Sequence, residues 1–179
     1  SVFEHAMFNF IFHDVSRVFT HELVRHRIGT AISQESLRYV RLTDLKFWMP
    51  SCFKEHPKKE ELKQLVVETI EYLEQNQKEL GTLLDLDNLK DFSSKKELTS
   101  AMRRLAPIGL ATSIGWSGNF RALRHVIEMR TDPPAEEEIR LVFGKVFEKV
   151  NARYPNVFQD YEMEMVNGLP WYKTKNRKV

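Results

Sequence analysis

This 179-residue sequence predicts an α+β fold, mostly helical and built as one domain over residues 1–179, with a small antiparallel sheet near its start. Two observations carry that expectation. Apolar residues alternate from Ala6 to Phe12, as in a half-buried strand, and stripes of helical period run through about 58–84 and again through about 135–153.

Along the chain, Ala6, Phe8, Phe10 and Phe12 fall on one face of the first strand, with Asn9 and His13 on the other. Asp14 and Ser16 then offer caps for a helix reaching about Arg25, with Val15, Val18, Phe19 and Leu23 at helical spacing. Residues 28–42 are less regular, and Trp48-Met49-Pro50 reads as a short extended piece closed by proline. A charge-rich helix follows over about 58–84, carrying Leu62, Leu65, Val66, Ile70 and Leu73 on one stripe. Ser94-Lys95-Lys96-Glu97 has the form of a capping box, starting a helix with Leu98, Ala101, Met102 and Leu105 inward until Pro107 interrupts it. Gly115 and Gly118 loosen the chain before a helix over about 119–130, on which Arg121 and His125 share a face. Thr131-Asp132-Pro133-Pro134 ends that helix, and the last one repeats Ile139, Val142, Phe143, Val146, Phe147 and Val150.

Composition narrows the function. With 42% apolar residues the chain can bury one core, and 27 basic against 25 acidic residues leave a net charge of +2, so no global field calls for nucleic acid or a membrane surface. Anion binding must be local. A single cysteine, Cys52, excludes an internal disulfide and a CxxC metal site, and its usage fits the cytoplasm. No stretch approaches the roughly 18 apolar residues of a membrane span. Because Ser1 opens straight into a strand-like pattern, an N-terminal piece of the natural protein is expected to precede this numbering.

His21-Glu22 followed by His26 invites comparison with a zinc-binding HExxH helix, but a spacing of five residues puts the imidazoles about 140° apart, so no metal is expected. The seven glycines form neither GxGxxG nor GxxxxGK[ST], so phosphates must be held by side chains. Residues 25–41 supply them: Arg25, Arg27, Arg38 and Arg41, with His26, Thr30, Ser33, Gln34 and Ser36 interspersed. Guanidinium groups capture phosphate bidentately and stay charged. The same arginines could be a solvated basic face or a nucleic-acid patch; the hydroxyls and amides between them favour a shaped nucleotide site. Cys52 has no basic neighbour in sequence and reads as a core or surface thiol, and Ser36 has no base beside it and reads as a hydrogen-bonding group.

The segments FEHAMFNF, HELVRHR and SQESLRY resemble consecutive signatures of flavin-dependent thymidylate synthases, in which an RHR triplet is followed after seven or eight residues by a serine; here eight separate Arg27 from Ser36. The resemblance continues through Asn119-Phe120-Arg121, His125, Met129-Arg130 and the AEEEIR start of the last helix. It implies a flavin-dependent thymidylate synthase-like fold in which Ser1, Glu4, Arg25, His26, Arg27, Gln34, Asn119, Arg121 and His125 lie around FAD. It places Glu22, Arg25, Gln34, Glu35, Ser36, Leu37, Arg38, Arg103 and Arg130 at dUMP, with Arg130 the catalytic, base-activating arginine. It also implies a homotetramer with active sites shared between subunits, and a reaction that moves a methylene from 5,10-methylenetetrahydrofolate to dUMP and reduces it through FAD at the expense of NADPH. One departure is Glu22, where the family usually has glutamine; a carboxylate accepts but cannot donate. A flavoenzyme acting on another pyrimidine nucleotide and a noncatalytic nucleotide or nucleic-acid binder are the alternative readings.

Overall fold

The computed structural model describes residues 1–38 and 42–177. After a 3₁₀ turn at Val2–Glu4, the elements in chain order are β1 (Met7–Ser16), α1 (Arg17–Leu23), β2 (Thr30–Gln34), α2 (Ser51–Lys54), α3 (Lys59–Leu83) and α4 (Phe92–Met102). A second 3₁₀ turn, Arg103–Leu105, leads to β3 (Ala111–Asn119), α5 (Phe120–Thr131), α6 (Glu137–Arg153), α7 (Pro155–Phe158), β4 (Tyr161–Val166) and β5 (Leu169–Thr174). The fold is α+β. Two compact units divide it: Ser1–Ser33 with Ser113–Val179, and the continuous segment Gln34–Thr112.

In the first unit the strands are ordered β1-β3-β2. Alternation along β1 works as its sequence requires: Phe8, Phe10 and Phe12 stack in a row at 5.9 Å spacings, while Asn9, Ile11 and His13 face outward. Asp14 then adopts a positive φ of 55°, which breaks the alternation so that Val15 and Ser16 are both buried. That places the helix cap on Ser16 alone, whose hydroxyl accepts from the Phe19 amide. Against the sheet lie α5 and α6, and Phe143 of α6 meets Phe12, Phe19 and Trp116 in the centre of the core. The apolar stripe of α6 is buried as its period predicts, Ile139 and Phe143 completely.

Three local expectations fail. Residues 111–119 are a strand rather than loosened chain, because Ile114 and Trp116 alternate into the core with small residues between them. Gly118 is needed there for another reason: a Cβ would lie 2.3 Å from the Trp116 ring. The irregular stretch after residue 28 contains β2. And α4 is capped by Asp91, whose carboxylate accepts from the amide and hydroxyl of Ser94, rather than by Ser94; Leu105 is half exposed. The hairpin β4–β5 went unread altogether, although its turn is Asn167-Gly168, both residues at positive φ, as a two-residue hairpin loop demands.

In the second unit Leu37, Leu42, Leu45 and Leu110 form a small core against Ile70 and Leu73 of α3, whereas Leu65 from the same stripe is exposed. Polar ties complete it: Glu74 accepts from the Leu45 amide at 2.6 Å and the Gln77 side chain donates to the Met102 carbonyl at 3.1 Å.

Replacing Gly118 by alanine forces the Trp116 ring out of a buried position and is expected to cost about 1–3 kcal/mol in urea unfolding. Gly115→Ala, whose new methyl meets the Ser33 carbonyl oxygen at an ordinary 3.5 Å, is the control and should stay within about 1 kcal/mol of the parent. Equal effects at the two positions would contradict this packing.

Candidate functional site

The site of the first unit is assembled from the ends of two helices. Helix α1 is fixed at its start by Glu138 of α6, whose carboxylate accepts from the Ser16 amide at 2.7 Å and from the Ser16 hydroxyl. It is anchored at its end by Leu23, fully buried. Glu22 and the Arg25-His26-Arg27 triplet therefore leave the core at a defined point, the chain turning through hydrogen bonds from the Arg25 and His26 amides to the Glu22 and Leu23 carbonyls. Helix α5 is capped by Asn119, whose side chain accepts from the Ala122 amide at 2.8 Å, and its last turn delivers Arg130.

Arg130 closes the arrangement. Its Nε donates to His26 Nε2 at 2.7 Å, its Nη1 to the Glu22 carboxylate at 2.5 Å, and its Nη2 to the Glu22 carbonyl at 2.9 Å. Burial lowers the arginine's pKa, opposed by Glu22 and reinforced by Arg25, yet a guanidinium stays protonated. His26 is pushed down to about 4, first by burial and then by the adjacent charges of Arg130 and His125. The His26 and His125 rings meet edge to face, 6.1 Å apart.

His125 also lines a cleft of about 470 Å³ over the N-terminal half of α5. Four of the residues expected at FAD come together there: Glu4, Asn119, Arg121 and His125. Gly29, at φ 69°, lets its loop lie directly on α5, since a Cβ would sit 2.7 Å from the Asn119 amide nitrogen. The other wall was not foreseen. Arg124, Glu128, Tyr161, Thr174, Asn176 and Arg177 form it, the last four from the unread hairpin and the chain just beyond it. Asp160 organises this wall by accepting a bidentate pair from Arg124 at 2.8 and 2.7 Å together with the Thr174 hydroxyl and the Asn176 amide. The Arg124 hydrogen bonds hold the Asp160 carboxyl well below the ordinary carboxylate value. Burial raises the Tyr161 phenol, which donates to the Arg124 carbonyl at 2.7 Å.

Arginines line the cleft, but they are already paired: Arg121 with Glu4 at 3.0 Å, Arg124 with Asp160, and Arg177 with Glu128 at 2.9 Å. An anion entering must share them. Arg25 and Arg27, by contrast, are exposed and make no ion pair among the described residues; with Ser1, they do not line the cleft. The polar and charged side chains of the cleft and the close loop over Asn119 suit a large ligand with both anionic and heteroaromatic parts, and FAD has that character.

The remaining expected residues belong to the second unit. Leu37 is buried in its core, Ser36 accepts from the Arg38 amide at 3.4 Å, and the Arg38 carbonyl accepts from Thr99. Leu37 and Arg103 line a cavity of about 240 Å³ together with Gln77, Lys78, Lys95 and Thr99. Gln34, Glu35 and the Arg38 side chain do not line it. Arg41 lies outside the described residues. Among the described residues no cluster of three or more His, Cys, Asp or Glu could hold a metal ion, Cys52 is exposed, and no helix is long and apolar enough to cross a membrane.

Residues 1–156 match the family described as thymidylate synthase complementing protein. Curated relatives include the flavin-dependent thymidylate synthases of Mycobacterium marinum, 34% identical over 91% of this chain and 65% of the relative, and of Corynebacterium diphtheriae, 31% identical over 93% and 66%. The chain thus spans about two thirds of the length of these relatives. Among solved structures, thymidylate synthase X of Helicobacter pylori, crystallised with FAD and dUMP, shares the fold at a TM-score of 0.62 and 22% identity, over 89% of this chain and 74% of that one. The chain belongs to the flavin-dependent thymidylate synthase family. The hairpin wall of the cleft lies past the residues that match the family as a whole.

His26 makes the fold sensitive to pH. In the unfolded chain it takes a proton near 6.5, in the folded chain only near 4, so between those values the unfolded state binds more protons and stability falls as pH falls. Discounted for partial exposure, the loss is on the order of 1–2 kcal/mol. Glu136, raised mainly by burial, acts in the opposite direction, and Asp160 acts only at lower pH. Urea unfolding of His26→Gln should lack that part of the decline between pH 6.5 and pH 4. A profile parallel to the parent's across this window would contradict the assignment.

Proposed function

We propose that this chain is a flavin-dependent thymidylate synthase, converting dUMP to dTMP with 5,10-methylenetetrahydrofolate as carbon donor, NADPH as reductant and FAD as the hydride carrier. The observation that carries the reading is the clamp of Arg130 on Glu22 and His26 beside the α5 cleft. FAD, when bound, supplies the redox step that amino-acid side chains cannot perform.

The residues of the first unit divide this work. Asn119, Arg121, His125 and Glu4 would hold FAD from the cleft; Ser1, Arg25, His26 and Arg27, which do not line it, and Gln34 of the second unit are assigned to FAD as well. Glu22, Arg25 and Arg130 of the first unit are assigned to dUMP, as are Gln34, Glu35, Ser36, Leu37, Arg38 and Arg103 of the second. Leu37, its side chain buried, has only its backbone to offer.

Arg130 has the chemistry for catalysis. Bond formation at C5 of uracil places negative charge on the pyrimidine, and a fixed guanidinium stabilises that charge without exchanging a proton. Three of its five N–H donors are engaged within the protein, which leaves one on each Nη for a ligand. Glu22 keeps the guanidinium in place, a role that a glutamine would fill with less charge. The chain is further proposed to act as one family domain, in the cytoplasm, and to assemble as a homotetramer in which several subunits complete each site, since its expected ligand residues are spread from Ser1 to Arg130.

Titration of the purified protein with FAD should quench flavin fluorescence. Arg130→Ala should keep flavin binding while dTMP formation falls about 10²- to 10³-fold. Near-normal turnover in a folded, FAD-loaded variant would remove Arg130 from the chemistry, and a protein that binds no FAD would overturn the proposal itself.

A further inference from the structure

The contact between Arg130 and His26 determines more than position. A guanidinium nitrogen is always a donor, so the nitrogen that receives Arg130 Nε–H at 2.7 Å must carry a lone pair. His26 Nε2 is therefore unprotonated, and the proton of the neutral ring sits on Nδ1. We infer that Arg130 holds His26 as the neutral Nδ1–H tautomer, so that the Arg-His-Arg triplet offers two chemistries: charged forks at Arg25 and Arg27 for phosphate, and at His26 an uncharged donor for a carbonyl oxygen or ring nitrogen of a heteroaromatic ligand.

The surroundings act in one direction. Arg130 and His125 from α5 and Arg25 from the triplet itself all face this region, and the Glu22 carboxylate is taken up by Arg130 rather than by the ring. Among the described residues the charges that act on His26 are those of Arg130 and His125, both against imidazolium, and half-burial disfavours it further. The backbone is fixed as well, because the His26 carbonyl accepts from the Thr30 hydroxyl at 2.6 Å. Sequence alone sets neither the charge nor the tautomer of the histidine in RHR. The structure makes it a neutral, directional donor and makes Arg130 the positioning residue that keeps it so. The ligand half of the inference rests on the FAD reading above; the tautomer half does not.

The test is nitrogen NMR on the full chain labelled at histidine with ¹⁵N, the His26 resonances being assigned by their loss in His26→Gln. In the ligand-free protein, between about pH 8 and about pH 5, Nε2 should resonate as an unprotonated nitrogen and Nδ1 as a protonated one. An imidazolium titrating near 6.5, or a proton on Nε2, would overturn the inference. Arg130→Met should shift His26 toward ordinary titration and mix the tautomers; if that variant does not fold, the parent spectrum alone decides. Adding FAD should then perturb Nδ1 without moving the proton. Bound FAD with an unchanged Nδ1 would overturn the ligand half, whereas failure to bind FAD would overturn the functional reading and leave the tautomer established.

Discussion

The guanidinium of Arg130, closed on Glu22 and His26, is the interaction on which the rest of the site depends. It joins the last turn of α5 to the end of α1, two segments more than a hundred residues apart in sequence, through donors of fixed planar geometry. A lysine could balance the charge but could not reach a ring nitrogen, a carboxylate and a carbonyl at once. Both partners of the ion pair are mostly sheltered, with side-chain exposures of 15% and 31%, so the contact is less screened than a surface pair.

The fold supplies what such a clamp needs at either end. Glu138 holds the first turn of α1 through Ser16, Leu23 plugs its last turn into the core, and Asn119 sets where α5 begins. Phe12, Phe19, Trp116 and Phe143 fill the space between sheet and helices. Misplacement of any of these supports would be transmitted to the triplet, because α1 is only seven residues long and the triplet follows it directly. The hairpin β4–β5 does for the cleft what α1 does for the clamp: through Asp160 it holds Arg124 and sets Tyr161 against α5.

Much of this was legible in the residues. The Phe8, Phe10 and Phe12 alternation and the six-residue stripe of α6 are local patterns that burial enforces directly. The strand β3 was not, because glycines and serines that suggest loose chain are here the small residues between Ile114 and Trp116, and only a tertiary neighbour explains Gly118. The Asn167-Gly168 turn was a signal available and unused. Arg121 and His125 share a helix as their spacing requires, whereas no local pattern singles out Arg124, which is marked only by Asp160 and Tyr161 brought beside it. Pairings over such distances leave no periodic trace. The tautomer of His26 could not be read from RHR for the same reason, since its partner Arg130 lies on another helix.

A double-mutant cycle in urea unfolding, built from Glu22→Gln, Arg130→Met and the pair, tests the clamp most directly. A coupling energy of about 1 kcal/mol or more is the result expected of a sheltered, multiply bonded arginine. Losses that simply add, within about 0.5 kcal/mol, would show that Glu22 and Arg130 do not act together and would contradict the central role given to their contact.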